Sequence, residues 1–470
     1  MNGVIVGVDS STQSCKVLVL DVTTGATVAS GLALHPSGTE IDPMLWLEAL
    51  QTAWAAAGVA DRNDVLGVGI SAQQHGLVAL DRNDQPVHAA LLWNDLRSAE
   101  QAAQMVRDIG VEGWMDAVNV MPVAAITLTK LAWMRQHRPE VAARVRRVML
   151  PHDWLVMQLT GSFVTDRSDA SGTGYFNATT NGYRTDLLEH YFGAVPELPV
   201  VLEPAAVAGR LLPQWGLSAG APVSAGTGDN AGSALGLEME PGDLAVSVGT
   251  SGTVFARAAH PVIDPSGLTC GFADATGAHL PLLCTLNAAR VFDSTADLLG
   301  VDLAQFDTLA LSGAADAGGL TMLPYFDGER TPNLPHAAGQ LHGLRRGSFS
   351  PANLARSAVL AIANSLADCL DILRGLDVPI ERVLLTGGGA KSAALRAVLP
   401  DTFGMPLTVP EVREYVAIGA ARQAAWAATG RLPSWKPRIG MTLETTGCQG
   451  AADYRSRYVD LRAALIARAD

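Results

Sequence analysis

The sequence predicts an α/β protein of two domains, on three observations. Apolar strands and helical stretches alternate along most of the chain, which is the pattern of α/β architecture. At 470 residues the chain exceeds what a single hydrophobic core usually supports. One local plan also occurs twice: an apolar strand runs into a small hydroxyl-rich turn and returns along a second strand. It is found around Asp9-Ser10-Ser11-Thr12 and again around Gly249-Thr250-Ser251-Gly252-Thr253. Two similar halves account for both the length and the paired turns, with the division expected between 1–242 and 243–470.

Val4 to Gly7 and Val17 to Asp21 read as strands flanking the first turn, with Ala29 to His35 as a third. Met44 to Gly58 has helical character, and Val65 to Ser71 reads as a buried strand. Residues 95–158 carry two or three helices, of which Leu128 to His137 is the clearest. Pro222 to Ala225 is a short strand, with Pro222 tolerated at its first position. It enters the loop 226–232, and a helix follows from about Asn230 to Gly236. The Pro241-Gly242 pair marks a turn; Leu244 to Val248 then starts a second sheet, and Gly252 to Ala256 returns along it. Asn353 to Leu373 is the longest helix: Leu354, Val359, Ile362, Leu366, Leu370 and Leu373 recur at helical spacing, with Ser350 as N-cap and Pro351 at the first position. Arg382 to Thr386 is a buried strand ending in Gly387-Gly388-Gly389, and Ala393 to Leu399 continues as helix.

A hydrophobic content of 48% and a charged content of 17% describe a packed globular chain. The net charge of -13 argues against nucleic acid or an anionic membrane surface as partner. A phosphate site stays compatible with it, because backbone amides and a metal ion supply a local positive field. The five cysteines are scattered, odd in number and without short paired spacing, so they read as reduced packing residues. Met1-Asn2-Gly3 leads straight into Val4-Ile5-Val6 with no basic region, so no secretory signal is expected. No apolar run has the length of a membrane span. The expected location is cytoplasmic.

The loop Gly226-Thr227-Gly228-Asp229-Asn230-Ala231-Gly232 holds one carboxylate among glycines, placed like a group that takes a proton from a bound substrate. With an ordinary pKa near 3.9, Asp229 would be a weak base. The same loop matches G-x-G-x-x-A, the dinucleotide fingerprint. That reading expects an acidic residue about 20 positions on, and Leu244 to His260 contains no Asp or Glu. Asp9, taken alone, suits an Asx turn capping a hairpin. Paired with the second hydroxyl turn, it suits phosphate and Mg²⁺, a hard cation that takes carboxylate and water oxygens. Gly387-Gly388-Gly389 exceeds what one left-handed turn requires and would allow flat contact with an adenine ring and ribose. Gln73-Gln74-His75-Gly76 and Trp93-Asn94-Asp95 bring amide, imidazole, indole and carboxylate groups to two strand ends, which suits polyol recognition.

Together these segments resemble the FGGY carbohydrate kinases, most closely the branch acting on D-xylulose. Asp9 to Lys16 is similar to the family's D-x-G-T-x-x-x-K phosphate loop, with Ser11 where Gly is commonest. Met121-Pro122 through Lys130-Leu131-x-Trp133 is similar to a family signature, with Ala125 a departure. Asp166-x-x-Asp169-Ala170-Ser171-Gly172-Thr173 and Gly228-Asp229-Asn230-Ala231 fit the same branch, as does Leu323-Pro324-Tyr325 with Gly328 to Pro332. Asn230 after the aspartate distinguishes it from the glycerol and rhamnulose kinases. Ala361-Ile362, where the long helix often carries Glu-Gly, is a second departure.

The resemblance implies two ribonuclease-H-like (actin-like ATPase) domains around a central cleft, sugar-binding over 1–242 and nucleotide-binding over 243–470. It implies ATP and Mg²⁺ as cofactors and Asp229 as catalytic base. Gln74, His75, Trp93, Asn94, Asp95 and Asn230 are expected to bind sugar. Ser11, Thr12, Lys16, Thr250, Ser251, Gly387, Gly388, Gly389 and Ser392 are expected to bind nucleotide, and Asp9 and Asp229 the metal. The expected partners are a small sugar and ATP, without nucleic acid or membrane, with a homodimer as the candidate assembly. The alternatives are a kinase of L-ribulose or glycerol, and a non-catalytic actin-like ATPase or sugar sensor.

Overall fold

The structure is a computed structural model that describes residues 3–469; Met1 and Asn2, part of the segment in which no secretory signal is expected, lie outside it. The chain divides into two compact units that are interleaved in sequence. The first comprises Met1–Met239, Ala259–Leu280 and Arg413–Pro437; the second comprises Glu240–Ala258, Pro281–Val412 and Arg438–Asp470. A single cut at 242/243 therefore leaves two segments of the first unit on the far side.

In the first unit the strands Thr27–Leu34, Ser14–Asp21, Val4–Ser10, Val65–Ala72 and Pro222–Ser224 lie in that order. The first three alternate in direction, and the last two run parallel to Val4–Ser10. Val4–Ser10 is buried along its whole length, so it reads as a continuous apolar run without alternation. In the second unit the strands His279–Thr285, Gly252–Ala256, Asp243–Val248, Arg382–Thr386 and Leu407–Pro410 take the same order with the same directions, and Ile439–Leu443 is added at the edge. Each unit thus has the three-two-one-four-five connectivity of the ribonuclease-H-like fold, as the family resemblance implies.

The predicted long helix spans Pro351–Gly375, with the Ser350 side chain accepting from the Asn353 N–H. Residues 95–158 hold more helix than expected: Ala99–Val118, Thr127–His137, Pro139–Ala142 and Pro151–Thr160, with strand Arg147–Met149 between the last two. Pro139 and Pro151 each start a fresh helix, where a missing N–H costs nothing.

The helix Tyr415–Thr429 was not foreseen, and it backs the first unit's sheet. It packs on Val4–Ser10 and Val65–Ala72 through glycines. A Cβ on Gly7 would stand 2.0 Å from the Ala417 carbonyl oxygen, and one on Gly69 2.0 Å from that of Ala420. The helix is buried on most sides and rich in alanine, so its sequence shows no apolar stripe to reveal it.

Candidate active site

Asp9 sits within the first strand, in register with Lys16 across the antiparallel pair, and does not cap the hairpin turn. Its side chain is buried, and Oδ1 makes no hydrogen bond within the protein. Burial pushes its pKa up to about 7, against the pull of Lys16 and with a further push from Glu414. Lys16 itself is paired with Glu414 at 2.6 Å.

Asp229 opens the helix Asp229–Gly236, with Gly228 at the N-cap. Its Oδ1 accepts from the Asn230 backbone N–H (2.8 Å) and from Asn230 Nδ2 (3.0 Å). The carboxyl is walled in by protein on most sides, yet the residue keeps a solvent-reachable edge. Burial, reinforced by the charge of Asp9, raises its pKa to about 7. The expectation of an ordinary carboxylic acid near 3.9 is thereby corrected.

Asn230 Nδ2 also donates to Gln74 Oε1 at 2.9 Å, which joins three of the predicted residues in one chain. His75 has a left-handed backbone (φ 68°), and its Nδ1 donates to the Gly172 carbonyl at 2.8 Å. That bond fixes the neutral ring in the tautomer whose Nε2 is an acceptor. Trp93 is exposed and donates from Nε1 to Thr12 Oγ1 at 3.0 Å. Asn94 Nδ2 donates to the Gly38 carbonyl (3.1 Å), while its buried Oδ1 has no partner in the protein. Asp95 is buried and bound to Arg97 at 2.8 Å, and Arg97 in turn pairs with Glu40 at 2.6 Å. Burial would raise the Asp95 pKa, but the Arg97 hydrogen bonds outweigh it and hold the carboxyl below the usual range. Ser11 is likewise engaged, donating to the Ser14 carbonyl at 3.0 Å. Ser11, Thr12, Lys16 and Asp95 therefore already have protein partners, as do Gln74, His75, Trp93, Asn94 and Asn230.

The glycines of the 226–232 loop serve packing. A Cβ on Gly228 would meet Gln74 Nε2 at 2.5 Å, and one on Gly232 would meet Ser71 Oγ at 2.7 Å. These α-carbons are covered by side chains, where a dinucleotide fingerprint would leave them open to a pyrophosphate.

Beneath this loop lies a buried ionic cluster that sequence reasoning gave no role. His152 Nδ1 bonds Asp169 Oδ2 at 2.7 Å and lies 3.3 Å from Asp153 Oδ1, with Asp166 3.8 Å from Nε2. All four side chains are buried. Burial alone would lower the His152 pKa, but Asp153, Asp169 and Asp166 overturn it and hold the ring at about 10. Gly228 N–H donates to Ser168 Oγ (3.2 Å), on the short helix that carries Asp169. Gln73, which its motif alone does not single out as a contact, is buried, and both its amide atoms lack a protein partner. Buried polar groups are normally bonded, so Gln73 joins the candidate contacts. Lys130 of the signature segment is also buried and gives its ammonium to the Ala124 and Ala125 carbonyls just before helix Thr127–His137, with burial lowering its pKa to about 7.

In the second unit a cavity of about 410 Å³ is lined by Ala289, Phe292, Phe306, Gly388, Gly389 and Ser392, among others. Gly387 has φ +85°, and a Cβ on Gly387 or Gly389 would strike Val248 atoms at 2.5 Å. A Cβ on Gly388 would meet nothing within 4 Å. The Ser392 hydroxyl is already committed: it donates to Asp307 (2.6 Å) and accepts from Leu395 N–H (3.1 Å) as a helix cap. Thr250 is exposed, and the turn closes through a Gly249 N–H to Ser251 carbonyl bond of 2.9 Å.

The N-terminal domain of the FGGY family of carbohydrate kinases matches residues 4–236, and its C-terminal domain matches residues 244–428. The chain belongs to this family. It is 44% identical over 434 residues to a xylulose kinase of Streptomyces coelicolor, covering 91% of this chain and 88% of that one. The crystal structure of a xylulose kinase from Bifidobacterium adolescentis superposes with a TM-score of 0.89 at 39% identity, covering 97% of this chain and 99% of that one. A gluconate kinase structure from Lactobacillus acidophilus reaches 0.91 at 23% identity, covering 98% of each chain. Within this family the fold by itself does not select the sugar.

Proposed function

We propose that the protein transfers the γ-phosphoryl group of ATP to O5 of D-xylulose, giving D-xylulose 5-phosphate and ADP. The observation that carries this reading is the pairing of two buried carboxyls, Asp9 and Asp229, beside Asn230 and Gln74. The identity to xylulose kinases over nine-tenths of the chain supports the choice of sugar.

Asp229 accepts the proton of the attacking hydroxyl as O5 bonds to the γ-phosphorus and the β–γ bridging P–O bond breaks. A pKa near 7 is well matched to that task at neutral pH. The Asn230 side chain holds the carboxylate oxygen, and Gln74 in turn holds Asn230. His75 Nε2, Asn94 Oδ1, the Gln73 amide and the Trp93 ring offer the sugar acceptors, donors and a flat face.

The residues present fit a Mg²⁺ ion: Asp9 presents a buried oxygen without a partner, next to a second carboxyl. Among the described residues no group of three or more His, Cys, Asp or Glu could hold a metal. That suits an ion held by one or two carboxylates together with phosphates and water. When bound, it would neutralise charge on the phosphates of the nucleotide. In the second unit, the cavity at Gly388–Gly389 and Phe292 suits adenosine, and the Thr250–Ser251 turn suits phosphate oxygens.

The test is an ADP-release assay with D-xylulose, L-ribulose, glycerol and gluconate at equal concentration. D-xylulose should give the highest kcat/KM. A higher value for any of the others would displace this reading.

A further inference from the structure

Gln423 lies in the middle of the backing helix Tyr415–Thr429 and is fully buried. Its amide bonds one short stretch of chain three times. Oε1 accepts from the Gly226 N–H (3.0 Å) and from the Ser224 hydroxyl (2.9 Å), and Nε2 donates to the Gly226 carbonyl (2.9 Å). Both backbone polar groups of Gly226 are thus held by one side chain 197 positions further along the chain.

Gly226 stands three residues before Asp229, between strand Pro222–Ser224 and the two-residue strand Thr227–Gly228. It has φ +89°, and a Cβ there would lie 2.3 Å from the His152 ring. The chain turns sharply at this point with no side chain of its own to anchor it. The helix that follows, Asp229–Gly236, packs on the same backing helix at glycine contacts: a Cβ on Gly419 would stand 1.8 Å from the Gly232 carbonyl oxygen. Those glycines set how near the two helices lie. The approach to Asp229 is held at Gly226 by the Gln423 amide, and one and two residues on by pairing of Thr227–Gly228 with Val65–Ala72 and by the Gly228 N–H to Ser168 bond.

We propose that Gln423 is a positioning residue for phosphoryl transfer: by clamping Gly226 it sets where the Asp229 carboxylate stands relative to the bound sugar hydroxyl. This inference rests on the assignment of Asp229 as base. Misplacing a reacting group by about an ångström costs roughly a hundredfold in rate without weakening ground-state binding.

The experiment compares three variants. Gln423→Met fills the same space without the three hydrogen bonds. Ser224→Ala removes one bond and leaves Gly226 held at both its groups. Ala425→Gly loosens the same helix without touching the loop. In Gln423→Met, kcat on D-xylulose should fall roughly ten- to a hundredfold, with KM for sugar and ATP within about threefold of wild type. Hydrogen exchange over 225–232 should quicken in the same variant. Ser224→Ala should lie between it and wild type, and Ala425→Gly should lower Tm while keeping kcat and the exchange of 225–232. Unchanged kcat in Gln423→Met, equal loss in Ala425→Gly, or a loss expressed in KM alone would overturn the proposal. Should Gln423→Met fail to fold, Gln423→Asn, whose amide is one methylene short of Gly226, decides it: wild-type kcat and exchange there would overturn it. If the wild type itself turns over no D-xylulose, the function reading falls, while unaltered exchange in the variants would separately overturn the clamp.

Discussion

Burial governs the behaviour of the two carboxyls more than any partner does. Asp9 and Asp229 are both raised to about 7, first by loss of water and only then by charge, with Lys16 opposing the shift at Asp9. A carboxyl poised there can exchange a proton at neutral pH, which an exposed aspartate near 3.9 does poorly. Asp229→Ala should therefore cut kcat by roughly 10²–10⁴, with ATP affinity by calorimetry close to wild type. Asp9→Ala should instead raise the Mg²⁺ concentration needed for half-maximal rate. An Asp229→Ala protein retaining more than about a tenth of wild-type kcat would remove Asp229 from the role of base. At this scale the sequence named Asp9, Asp229, Asn230 and Gln74, because each sits in a recognisable turn or motif. It gave no sign that Ser11, Thr12, Lys16 and Asp95 would find protein partners, since those partners (Ser14, Trp93, Glu414 and Arg97) are chosen by the fold.

Among the elements, the glycine turn after Arg382–Thr386 separates covered glycine from open glycine. Gly387 needs its left-handed backbone, and Gly389 lies against Val248, so a methyl group at either position strains the turn. Gly388 has open space at its α-carbon beside the cavity of Phe292 and Ser392. Gly388→Ala should leave Tm unchanged or slightly raised, because a residue with fewer unfolded conformations loses less entropy on folding. Its affinity for ATP should nevertheless fall, while Gly389→Ala should lower Tm. Thermal unfolding with calorimetric ATP titration checks both, and wild-type ATP affinity in Gly388→Ala would detach the turn from the nucleotide. The sequence marked all three glycines alike, because spacing cannot tell a covered α-carbon from an open one.

For the molecule as a whole, the order of units along the chain matters. Ile5, Leu18 and Leu20 of the first unit share a core with Ala417, Ile418, Ala421, Ala424, Ala425 and Trp435. A fragment of residues 1–242 leaves those apolar faces without their cover. It should show no cooperative melt and should bind a hydrophobic dye strongly, whereas the full chain should not. A fragment 1–242 that melts cooperatively near the full-length Tm would show that the backing helix is dispensable to that unit.

Local chemistry in the sequence determined the strands Val4–Ser10, Val65–Ala72, Gly252–Ala256 and Arg382–Thr386, the capped helix Pro351–Gly375 and the turns that mark a kinase. Each is specified by neighbours within a few residues, through period, cap or glycine. Tertiary structure alone decided that Tyr415–Thr429 backs the first sheet, that three aspartates surround the buried His152, and that Gln423 holds Gly226. These depend on groups far apart in sequence, brought close where water is excluded. There, an unpaired charge or amide costs far more than it would on a surface.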